Sequence, residues 1–108
     1  MIGEFEYLVL AACVRLGDGA YGASIASLIE ETTARRCSSG ALYLTLDRLE
    51  AKSMVATRTG EPTAERGGRA KRMVRVTGAG RAAAAEFHRA IAQVSRGIRW
   101  EKAAPCAL

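Results

Sequence analysis

The sequence predicts a mostly α-helical chain carrying a small β-hairpin. Two observations carry that expectation. Apolar residues recur at helical spacing in four stretches, and two β-prone runs, residues 54–59 and 72–77, flank a segment containing Gly60, Pro62, Gly67 and Gly68. At 108 residues there is room for one domain, with a core small enough that a partner subunit would help to bury apolar surface.

The first helix is expected over residues 4–16, where Phe5, Leu8, Val9, Ala12 and Cys13 repeat at helical spacing and Tyr7, Leu10 and Val14 widen the apolar surface. Such breadth suggests contact with its own domain on one side and with a second subunit on the other. Gly17-Asp18-Gly19 supplies a C-cap and turn. A second helix, residues 22–32, buries Ile25, Leu28 and Ile29, and a connection through Cys37 leads to a third. Ser38 or Ser39 can cap that third helix by accepting from a free amide of its first turn. Leu42, Leu46 and Leu49, spaced four and three, form its buried stripe.

Opposite the leucine stripe, a step of roughly 100° per residue places Gly40, Leu44, Asp47, Arg48 and Ala51, with Tyr43 on the flank. That outer face is small and mildly polar, unlike the Glu and Lys pairs of an ordinary solvated helix. In the second β-prone run Arg72, Val74 and Val76 share one face, whereas Met73, Arg75 and Thr77 share the other. Thr77 can cap a last helix, in which Phe87, Ile91, Val94 and Ile98 form a coiled-coil type seam of about two heptads. Such a seam suits docking on a partner subunit and on the first helix. Residues 1–77 are therefore expected as the principal unit, 78–102 as a long C-terminal dimerisation helix of the same compact domain, and 103–108 as a frayed tail. Phe5, Leu8 and Ala12 join Phe87, Ile91, Val94 and Ile98 as the expected dimer surface.

The net charge of +5 is concentrated. Between Arg58 and Arg81 stand Arg58, Arg66, Arg69, Lys71, Arg72, Arg75 and Arg81 against only Glu61 and Glu65, and the charges of the remaining residues cancel. A localised basic patch is the footprint expected for a polyanion, although a solvated surface turn has the same composition. Cys13, Cys37 and Cys106 are odd in number and form no CxxC pair, so neither a disulfide framework nor a metal site is expected; reduced thiols fit a cytoplasmic setting. Cys13 reads as core, whereas Cys37 stands beside the third helix with its exposure, and any redox role, left open. Acidic Glu4 and Glu6 replace the positive charge of an export signal, and no apolar run is long enough to span a membrane. The single histidine, His88, has no nucleophile at a recognisable spacing, and Gly67-Gly68-Arg69 is no phosphate-binding loop. Neither an enzyme nor a cofactor is expected.

Three helices, a hairpin with a basic tip and a long last helix make a winged helix-turn-helix. Its third helix would enter the major groove of double-stranded DNA while the wing touches the adjacent backbone. Ser38, Ser39, Gly40, Tyr43, Leu44 and Arg48 on the helix, with Arg69, Lys71 and Arg72 on the wing, are the candidate DNA contacts. At these residues the chain resembles the PadR family of bacterial transcriptional regulators, in its small members without a large C-terminal domain. The resemblance rests on Leu8-Val9-Leu10, Gly19-Ala20-Tyr21-Gly22, Gly40-Ala41-Leu42-Tyr43, Leu46-Asp47-Arg48-Leu49-Glu50, Gly67-Gly68-Arg69-Ala70-Lys71, Arg75-Val76-Thr77 and Gly80-Arg81.

The resemblance implies a repressor that binds a pseudo-palindromic operator as a two-fold homodimer through its first and last helices. It also implies Tyr43 at the DNA backbone and Arg69 and Lys71 on the wing. Two positions depart from the family pattern: Leu44 stands where proline is common, and Met73 and Val74 replace paired aromatics. Some members line a dimer-interface pocket for flat aromatic ligands with a tryptophan of the last helix, which makes Trp100 the candidate for an effector site, with the effector itself unknown. A protein-interaction module and a small basic RNA-binding protein are the alternatives. Scarce exposed aromatics argue against single-stranded RNA, which is recognised by stacking.

Overall fold

The computed structural model describes residues 1–62 and 70–101. In chain order it contains α1 (Glu4–Leu16), a 3-10 turn (Gly17–Gly19), α2 (Gly22–Thr33), α3 (Ser39–Ala51), β1 (Val55–Pro62), β2 (Ala70–Val76) and α4 (Gly78–Val94). The mostly helical, winged helix-turn-helix arrangement expected from the sequence is the one observed.

Local chemistry sets the helix starts. The Gly3 amide donates to Glu6 Oε1 at 2.9 Å and begins α1, whose early Glu4 and Glu6 and late Arg15 complement the helix dipole. At α2 the Tyr21 amide donates to Ser24 Oγ at 2.9 Å, while that hydroxyl donates to the Gly19 carbonyl at 2.6 Å. Ser38, rather than Ser39, caps α3 by accepting from the Ala41 amide at 3.2 Å. Thr77 caps α4 through the Gly80 amide at 3.1 Å and donates its own hydroxyl proton to the Ser53 carbonyl at 2.7 Å, tying that helix to the end of α3.

Leu42, Leu46 and Leu49 of α3 are buried together with Val9, Leu10, Ile25, Ile29, Val55 and Val74. Leu28 is only partly buried against this core, and Thr45 joins it as the buried polar residue among those described. The antiparallel hairpin pairs Val55 with Val76, Thr57 with Val74 and Thr59 with Arg72, then shifts register before Pro62 meets Ala70. That shift accommodates Gly60 and lets β1 run past the expected end at Thr59. The outer edge of β2 is also paired, since the Val74 amide donates to the Ala20 carbonyl at 2.9 Å and Tyr21 bridges Met73.

The last helix departs from expectation in length. It ends at Val94 rather than at residue 102, because Ser95 turns its hydroxyl back onto the Ile91 carbonyl at 2.6 Å and Gly97 takes φ +81°. Ile98 and Trp100 therefore lie beyond the helix, off its seam. What remains of α4 docks on α1 by stacking Phe87 on Tyr7, with ring centroids 5.0 Å apart.

Candidate nucleic-acid interface

The leucine stripe roots α3 in the core and leaves its opposite face to solvent. Gly40, Ala41, Leu44, Asp47 and Arg48 are all exposed, Leu44 to 52 %. Ser38 and Ser39 stand exposed at the N-terminal end, where free amides and the positive end of the helix dipole favour an anion. The face is thus short of bulk at its start and cationic at Arg48, a shape that admits close approach to base edges.

Tyr43 flanks that face with its ring against α2. A β-carbon on Gly22 would lie 2.9 Å from its Cζ and closer still to its hydroxyl, so glycine at the first residue of α2 is what lets the phenol rest there. The ring remains 43 % exposed. Its hydroxyl lies beside Gly22, at the start of α2.

Across the hairpin the cations differ in their employment. Lys71 lies over the Tyr21 ring, 4.3 Å from its centroid. The Arg72 guanidinium reaches back to α3, with Nη1 3.1 Å from Asp47 Oδ1 and Nη2 3.0 Å from Glu50 Oε1. Arg58 and Arg75 lie on the opposite face of the hairpin, exposed and, like Arg81, without an ion pair among the described residues. Neither Arg58 nor Arg75 stood out in the sequence as a contact, although the strand alternation that leaves Arg75 in solvent is readable there. Arg69, with the rest of residues 63–69, lies outside the described residues, as do Cys106 and the tail expected to fray.

The expected dimer surface divides. Ala12 is buried in the core of its own chain at 5 % exposure and has little left to offer a second copy. Phe5, Leu8 and Phe87 are half-buried, whereas Ile91 (52 %), Val94 (78 %) and Ile98 (49 %) are exposed, as is Trp100 (76 %). Neither cysteine among the described residues is poised for redox chemistry. Burial pushes the Cys13 thiol up to about 12, and Cys37, buried rather than exposed, is raised by burial and by the neighbouring Glu30 carboxylate, which accepts from its amide at 2.9 Å. No described helix is long and apolar enough to cross a membrane.

The family model described as "Transcriptional regulator PadR-like family" matches residues 10–86. Among solved structures, the chain is similar to a PadR-like transcription factor from Bacteroides fragilis, with 22 % identity and a TM-score of 0.69 over 84 % of this chain and 82 % of that one. A PadR-like transcriptional regulator from Bacillus cereus gives 18 % identity and 0.70, covering 84 % of each chain. A PadR family transcription regulator from Clostridium difficile gives 22 % and 0.65, over 86 % of this chain and 95 % of that one. No curated protein matches the sequence. At these identities the structural likenesses speak to the fold, and the family model carries the relationship.

Proposed function

Because the chain belongs to the PadR-like family of transcriptional regulators, we propose that it is a dimeric repressor whose α3 reads a pseudo-palindromic operator in the major groove while the wing contacts the phosphate backbone. The observation that carries this reading is the outward face of α3. Gly40, Ala41, Leu44 and Arg48 are exposed on a helix whose other side is locked into the core, and the hairpin that bears the charge excess packs beside it. A rigid helix with a small reading face can enter a groove, and cations alongside it supply affinity that does not depend on sequence. The exposed Ile91 and Val94 of α4 support pairing of two copies, which would repeat the reading helix about one helical turn, roughly 34 Å, away.

The test is selection of bound duplexes from a random pool by the full chain, followed by sequencing. An enriched inverted repeat with half-sites about 10 base pairs apart is the expected result. Recovery of unenriched sequence would defeat the operator-specific reading, and preferential retention of single-stranded RNA would replace it.

A further inference from the structure

Arg72 occupies the face of β2 that looks toward α3, the face it shares with Val74 and Val76. Its two terminal nitrogens fork over Asp47 and Glu50, carboxylates three residues apart and so neighbours on one side of the reading helix. Glu50 in turn accepts from Thr57 Oγ1 at 2.6 Å through its other oxygen. Both strands of the hairpin are thereby fastened to one turn of α3. The Arg72 side chain is 30 % exposed, far less than Asp47 at 65 %, and a phosphate would have to displace two carboxylates to reach it.

From this arrangement, and resting on the reading of α3 and the wing as DNA contacts, we infer that Arg72 is a positioning residue rather than a phosphate contact. It fixes the separation of the reading helix from the wing, and its single positive charge offsets part of the negative charge that Asp47 and Glu50 would otherwise present toward DNA. A planar guanidinium suits this role because it donates in two directions at once, whereas a lysine ammonium is a point charge on a flexible stem. A phosphate contact would make the opposite demand, since either cation can satisfy it.

The experiment titrates the full chain, as wild type and as Arg72→Ala, Arg72→Lys and Glu50→Gln, against a fluorescent duplex recovered from the random-pool selection, with circular dichroism to verify folding. Arg72→Lys should weaken binding nearly as much as Arg72→Ala, by about five-fold. Glu50→Gln should also weaken it, even though that change makes the protein more cationic, and the double variant Arg72→Ala/Glu50→Gln should be no worse than either single one. Wild-type affinity in Arg72→Lys, or tighter binding by Glu50→Gln, overturns the inference while leaving the proposed function intact. Should the wild type itself retain no duplex, the proposed function fails and this inference falls with it.

Discussion

The phenol of Tyr43 rests on the backbone of Gly22, so the start of α2 and the flank of the reading helix share one close contact. Alanine at position 22 would press its methyl group onto the end of that ring. The ring is the far end of a side chain and can swing outward, and alanine is the better helix former by up to about 1 kcal/mol, so Gly22→Ala should change stability by less than about 1 kcal/mol. Operator affinity is a different matter. Displacing Tyr43 should weaken binding as much as Tyr43→Ala does, and Gly22→Ala/Tyr43→Ala should be no weaker than Tyr43→Ala alone. Additive losses in anisotropy titrations would separate the two residues.

Gly80 makes the stricter demand. A β-carbon there would collide with the Met54 carbonyl and lie 2.8 Å from Val76 Cγ1. That carbonyl is backbone and already accepts from the Thr77 amide at 3.0 Å, so it has no cheap way to retreat. Gly80→Ala should therefore cost about 2 to 3 kcal/mol in urea denaturation despite its gain in helix propensity. A loss under about 1 kcal/mol would mean that the junction between the hairpin and α4 gives way easily.

How much of this was legible in the sequence depends on whether the cause is local. The stripe of Leu42, Leu46 and Leu49 and the cap at Thr77 follow from spacing or from one side chain reaching its own helix and stand where expected. Ser38 is one of the two caps expected for α3, and the hairpin forms from the expected runs with its strand ends displaced. The length of α4 differs from the expectation because the alanine-rich run and the seam from Phe87 to Ile98 favour a longer helix, whereas Gly97, a readable stop signal, lies just past its actual end. Counting charges could not separate paired cations from free ones. Alternation places Arg72 with Val74 and Val76, and the sequence offers it only as a DNA contact on the wing, whereas the approach of Asp47 and Glu50 in three dimensions reveals its partners on α3. The seating of Tyr43 on Gly22 likewise joins residues distant in sequence, which no periodicity reports.

Cys13 should leave a signature in alkali. Its folded thiol is pushed up to about 12 by burial, above its value in the unfolded chain, so between the two the folded protein holds a proton that the unfolded one has lost. Stability contributed in this way is complete below the unfolded value, near 8.5, and declines as pH rises, by up to about 1.4 kcal/mol per pH unit. Urea denaturation of wild type and Cys13→Ala from pH 8 to 10.5 should show the wild type losing more stability with pH. Parallel curves would mean that the thiol ionises in place. Peptide mapping after brief treatment with a thiol reagent at pH 8 should find Cys13 and Cys37 unmodified in the folded chain.

The exposed edge of α4 allows the most direct test of pairing. Ile91 and Val94 are 52 % and 78 % exposed, while Phe87, one turn earlier, is half-buried and stacks on Tyr7, so one apolar stripe begins in the chain's own core and continues into solvent. Charge placed at the solvent end should leave the core intact and deny the stripe to a second copy. Ile91→Glu/Val94→Glu should therefore keep the wild-type circular dichroism spectrum but halve the mass measured by light scattering. Because pairing makes the second half-site encounter intramolecular, the variant should also lose at least about 100-fold in affinity for the full inverted repeat, with little change on a single half-site. An unchanged mass would move the interface away from α4, and an equal loss on the half-site would mean that the substitutions had damaged the reading helix instead.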